Sequence, residues 1–118
     1  MQKQQIELLK KLEENNTLPK VQEYLEKVIR LRGFLSESIE QTMLLLTEEV
    51  GELAKAIRKG KTTMMIDNNK TKNYDTIESE VADVFIVLCT ICSKLNIDLF
   101  SSLKAKEEEN INRKWVIK

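Results

Sequence analysis

At 118 residues the chain fits one compact domain whose core is modest for its surface. Lysine plus arginine equal aspartate plus glutamate at 19 each, and aromatic residues make up only 5%, so neither net charge nor a basic, aromatic-studded stripe suggests a nucleic-acid or membrane-surface partner. No apolar run reaches the ~18 residues needed to span a bilayer, and Met1 to Lys11 is polar and helix-patterned, so the expectation is a soluble cytoplasmic protein.

Glycine occurs only at Gly33, Gly51 and Gly60, and proline only at Pro19. With so few breakers and so much Leu, Glu, Lys and Ile, the chain is expected to be all-α. A first helix is predicted from about Gln4 to Glu14, ending at Asn15-Asn16. Thr17 caps a second, with Pro19 in its first turn, where a missing N–H costs nothing. Its stripe of Val21, Tyr24, Leu25, Val28 and Leu31 ends at Gly33, a left-handed stop, and Phe34 is expected to anchor that end by packing back on Ile29.

Ser36 or Ser38 opens a third helix, and Ser38 with Gln41 has the form of a capping box. This helix should run to Arg58 or Lys59 and stop at Gly60, with basic residues suiting its last turn. Residues 61–74 read as a polar connection. Its Lys61, Lys70 or Lys72 would reach substrate phosphates if a neighbouring subunit came close enough. Asp75 with Glu78 forms a second capping box for a fourth helix ending near Leu95, and Asp98 caps a fifth that extends to about Trp115. The near-terminal Trp115 is expected to pin that helix to the core. The first two helices, residues 1–33, precede a helical core of residues 34–118 within a single domain.

From Val81 to Leu95 the fourth helix is apolar almost all round. In so small a protein that argues for burial between subunits, hence a homo-oligomer. Cys89 and Cys92 lie inside this stretch. Without any histidine they cannot complete a zinc site within one chain, and they lie far from a helix N-terminus that would activate a thiol, so they read as small core residues. The lack of histidine also excludes a Glu-x-x-His di-iron bundle and removes the usual base of a serine or cysteine nucleophile.

Glu49 and Glu52 on the third helix, and Glu80 and Asp83 on the fourth, are acidic pairs spaced i,i+3. Each pair shares a helix face and borders apolar neighbours: Leu46, Val50, Leu53 and Ile57 for the first, Val84, Val87 and Ile91 for the second. In an antiparallel hairpin both pairs stand on the order of 12 Å from the closed end, so register sets them opposite one another. Four converging carboxylates are stable only around a cation or partly protonated. Oxygen donors without histidine or thiolate point to Mg²⁺ or Mn²⁺, and magnesium commonly binds together with substrate phosphates.

Glu48-Glu49-Val50-Gly51-Glu52 and Glu80-Val81-Ala82-Asp83 resemble the EExxE and ExxD motifs of MazG-like, all-α nucleoside triphosphate pyrophosphohydrolases, and the whole segment from Leu46 to Arg58 is similar to that family. Lys106, Asn110 and Arg113, with Trp115 beyond, resemble its K-x-x-x-N-x-x-R element. The resemblance covers about Arg32 to Trp115. It implies a dimer or a tetramer of two dimers that splits the α–β bond of a nucleoside triphosphate. It also implies Mg²⁺ on Glu49, Glu52, Glu80 and Asp83, and nucleotide contacts from Lys106, Asn110 and Arg113. Glu48, about 40° beyond Glu52 on the helix, is left for a bridging water, a further Mg²⁺ or base duty. With Glu48, Glu49 and Glu52 as the candidate catalytic acids, a bound water would attack phosphorus while a spare carboxylate takes its proton. Some relatives place a tryptophan and a histidine upstream of EExxE to hold the base; Phe34 and Gln41 stand in that region here. The alternatives are a hydrolase of the same fold acting on another nucleotide, dUTPase-like or phosphoribosyl-ATP pyrophosphatase-like, and a non-catalytic helical interaction module that keeps the acidic site.

Overall fold

The computed structural model describes residues 1–67 and 76–118. The described residues form five α-helices and one 3-10 turn, with no strand among them: α1 Gln2–Lys10, α2 Leu18–Leu31, the turn Phe34–Ser36, α3 Ile39–Lys61, α4 Ile77–Lys94 and α5 Leu99–Ile111. Asp75, Lys70 and Lys72 lie outside the described residues.

The start signals act largely where the sequence places them. The Thr17 hydroxyl accepts from Lys20 N, and Ser38 and Gln41 exchange both bonds of a capping box. Of the two serines proposed to open α3, Ser38 does so. Ser36 instead donates to Gly33 O within the 3-10 turn. Gly33 has φ 86°, the left-handed conformation that stops α2. Thr76, whose side chain accepts from Ser79 N, caps α4, and Asp98 caps α5.

The stop signals were read less well. α1 ends at Lys10, four residues before the predicted Glu14; beyond it the Asn16 side chain accepts from Glu13 N in a separate turn. α3 runs through Gly60 to Lys61, and the Thr62 hydroxyl closes its last turn by donating to Arg58 O. Gly60 lies inside the helix rather than terminating it, and a Cβ there would meet Ile77 Cδ1 at an ordinary 3.5 Å. α5 ends at Ile111 instead of near Trp115. Trp115 does not pin it: the indole is 73% exposed, with the Arg113 guanidinium 4.6 Å from its centroid.

α3 and α4 form an antiparallel hairpin. Gly60 faces Ile77 at its closed end, while Lys94 Nζ donates to the carbonyls of Glu37 and Ser38 at its open end. α2 packs across α4, and the core of Leu25, Val28, Ile29 and Cys89 sits between them, ringed by Phe85, Ile86 and Leu99. Gln22 bolts α2 to the turn after α4, donating to Ile97 O (2.6 Å) and accepting from Leu99 N (3.0 Å). α4 and α5 meet at a bend of 99°, α5 packs on α2, and no single described helix is long and apolar enough to cross a membrane.

Both cysteines are buried and free, as their sequence context implies. Burial, reinforced by Cys92 beside it, pushes the Cys89 thiol up to about 11 from 9.0, and burial also raises Cys92. At pH 8 the native thiols should therefore react with an aromatic disulfide reagent at least about a hundredfold more slowly than in denaturant, where they titrate normally. Labelling of the native protein at the denatured rate would contradict this burial. Because the folded Cys89 value is the higher one, its contribution to stability is complete below pH 9 and fades as pH rises towards 11.

Candidate metal centre

α3 and α4 bring one oxygen each from Glu49, Glu80 and Asp83 within 4.8 Å of one another. The cause is register. Glu80 and Asp83 are one turn apart on a face of α4 that packs against α3, and Glu49 meets them from across the hairpin. Glu80 is 6% exposed; Glu49 and Asp83 are half-buried. Burial, followed by the charges of Asp83, Glu80, Glu48 and Glu52, raises the Glu49 carboxyl above its ordinary 4.5. The site therefore resists carrying its full negative charge without a counterion.

Glu52, the fourth predicted ligand, lies outside this trio. It is one turn further along α3, its Oε1 3.7 Å from Lys55 Nζ. Glu48 is exposed on α3. Lys106 and Asn110 lie on α5 and Arg113 just beyond its end, and all three are bonded locally: Lys106 to Glu109, Asn110 to Glu107, and Arg113 to Asn110. Of the helices, α5 packs chiefly on α2.

The three acids fit a hard divalent cation. They offer only oxygen, they converge from two helices, and their oxygens, within 4.8 Å of one another, would draw closer together around an ion that holds its ligands at ~2 Å.

Beside Glu49 and Asp83 opens a cavity of about 220 Å³ whose lining includes Arg32, Phe34, Thr42, Leu45, Val87 and Thr90. Sequence reading passed over Thr42 and Thr90, although a signal was present. Thr42 lies seven residues before Glu49 and Thr90 seven after Asp83, which places each on the same helix face as its acid, towards the same end of an antiparallel pair.

The all-helical hairpin thus carries an oxygen-only acidic cluster that could hold a hard cation, with no imidazole or thiolate among its three acids. Residues 37–115 match the MazG nucleotide pyrophosphohydrolase domain, and the chain belongs to that family; it is a nucleotide pyrophosphohydrolase. No curated protein matches the chain. The fold is similar to the crystal structure of YPJD from Bacillus subtilis, described there as a candidate pyrophosphatase, with TM-score 0.71 and 24% identity over 86% of this chain and 100% of that one.

Proposed function

We propose that the chain hydrolyses the α–β phosphoanhydride of a nucleoside triphosphate with Mg²⁺, releasing a nucleoside monophosphate and pyrophosphate. The convergence of Glu49, Glu80 and Asp83 carries this reading. Bound there, Mg²⁺ would offset phosphate charge and lower the pKa of a water. Glu49, Glu80 and Asp83 hold the cation. Glu52, one turn further along α3, would add a fourth carboxylate, and Glu48, on the same helix turn, would orient the attacking water and take its proton. Lys106 and Arg113 bind phosphate oxygens through charge-assisted bonds, and Asn110 adds a neutral contact.

With Mg²⁺ and a panel of ribo- and deoxyribonucleoside triphosphates, the protein should release pyrophosphate, and Asp83→Asn should stop it. Activity surviving EDTA, or orthophosphate as the product, would sink the reading. Lys106→Ala and Arg113→Ala should each raise KM about tenfold or more, with kcat less affected.

The last helix reaches the carboxylates from a second copy in this reading, and outward apolar residues support such an assembly. Met43, Val50 and Ile57 recur every seven residues along α3, as do Val81 and Leu88 along α4 and Leu95 at its C-cap, and all are exposed in one copy. Heptad stripes on both helices of a hairpin suit a second hairpin packed against the first, making a four-helix bundle. Light scattering should report a dimer or tetramer, and Leu88→Glu should drive it towards monomer. A wild-type monomer at micromolar concentration would refute the assembly.

A further inference from the structure

The buried stripe of α2 ends on a cation. Leu25, Val28 and Ile29 fill the core, and the next position on that face, four residues after Val28 and three after Ile29, is Arg32, which keeps helical backbone angles at the C-cap (φ −80°, ψ −5°). Arg32 lines the same cavity as Glu49 and Asp83, and among the described residues around that cavity it is the only basic one. We infer that Arg32 binds a phosphate oxygen of the metal-bound nucleotide and that Gln5 of α1 positions it; the inference rests on the nucleotide reading above. Both residues precede the span matched to the family, so the match assigns them no role.

The bonds of Arg32 leave it fit for that task. Its Nε–H donates to Gln5 Oε1 (2.9 Å), which fixes one edge of the planar guanidinium and keeps the N–H groups of the two terminal nitrogens for an anion. Among the described residues no carboxylate pairs with it, whereas Arg30, Lys55 and Lys106 are each held by an acid on their own helix. Nor does its charge relieve Glu49, whose carboxyl is raised by burial and then by neighbouring acids. Arg32 and the acids thus share a cavity without pairing, and a phosphate that meets the cation on one side and the guanidinium on the other links groups that do not touch each other. A polyanion entering beside several carboxylates needs such a positive charge in addition to the metal. α1 contributes no buried residue, and Gln5 is the side chain by which it reaches the cavity wall.

The test measures kcat and KM for the best substrate of the triphosphate panel, at saturating Mg²⁺, in the wild type, Arg32→Ala, Arg32→Lys, Gln5→Ala and the double variant Gln5→Ala with Arg32→Ala. Arg32→Ala should raise KM about tenfold or more with kcat changed less, and Arg32→Lys, which keeps the charge, should recover part of that loss. Gln5→Ala should raise KM about threefold, and this effect should vanish in the Arg32→Ala background, because a positioning residue acts through the residue it positions. An arginine that merely ties α1 to α2 would lower Tm when replaced and leave KM as it was. That result, or equal Gln5 effects in both backgrounds, would overturn the inference and leave the pyrophosphohydrolase reading intact. Should Arg32→Ala not fold, Arg32→Lys and Gln5→Ala decide, and wild-type KM values in both overturn it. If no triphosphate releases pyrophosphate, calorimetry with Mg²⁺ and inorganic triphosphate, which carries neither base nor sugar, decides separately. Binding about tenfold weaker in Arg32→Ala upholds the phosphate contact, and equal affinities, or no binding by the wild type, overturn it.

Discussion

Glu49→Gln should lower kcat/KM by on the order of 10³ while making the metal-free protein more stable, a combination that separates a ligand from a structural acid. The loss of activity follows from removing one of the three oxygens that converge between α3 and α4. The gain in stability follows from the cost of the charge removed: Glu49 is pushed above its ordinary range by burial and by Asp83, Glu80, Glu48 and Glu52 in turn. The amide keeps the shape without the repulsion. Thermal melts in EDTA should show a higher Tm for the variant, and activity assays should show the loss. A Glu49→Gln protein that melts lower in EDTA and retains activity would mean that the carboxylate is held by an unsuspected cation of the protein and not reserved for a metal.

Mg²⁺ should raise Tm, and the increment should grow with pH. In the metal-free protein the folded Glu49 value is above the unfolded 4.5, so its contribution to stability is complete below 4.5 and is lost as pH rises through the raised value. Cation binding requires the deprotonated form and reverses that loss. At a free Mg²⁺ about a hundredfold above Kd, linkage amounts to about 2.7 kcal/mol, which for a chain of this size is on the order of 10 °C. The increment should be larger at pH 8 than near pH 4.5, where the raised Glu49 carboxyl is mostly protonated. A Tm increment independent of pH, or equal in Glu49→Gln, would place the bound cation elsewhere.

The helix starts were legible because they depend on short-range chemistry: a hydroxyl three residues from the N–H it accepts, as at Thr17 and Ser38, can be read from spacing alone. The stops depended on the neighbours. Gly60 reads as a breaker in isolation, yet it remains helical where α4 comes close through Ile77, a contact that no local pattern encodes. The meeting of Glu49 with Glu80 and Asp83 was visible because hairpin register is arithmetic. The position of Glu52 was not, since one more turn along α3 and a lysine at i+3 are enough to draw its carboxylate aside. Trp115 was misjudged for a related reason: a tryptophan near a terminus packs only if its helix points it inward, and α5 has already ended. The threonines beside the acids share their heptad spacing, but spacing alone does not reveal that each hydroxyl bonds back to its own helix.

Gln22 lies before the span matched to the family, yet its amide holds both Ile97 and Leu99, and Leu25, Val28 and Ile29 on the same helix supply three of the four residues of the buried cluster against α4. The match therefore marks the chemistry, not a unit of cooperative unfolding. A chain begun at residue 37 would lack the inner layer on which α4 closes. It would leave Phe85, Ile86 and Cys89 facing water and behave as an aggregation-prone hairpin instead of a minimal enzyme. The helix that carries none of the motif acids is thus what allows the acids to be held at a fixed separation.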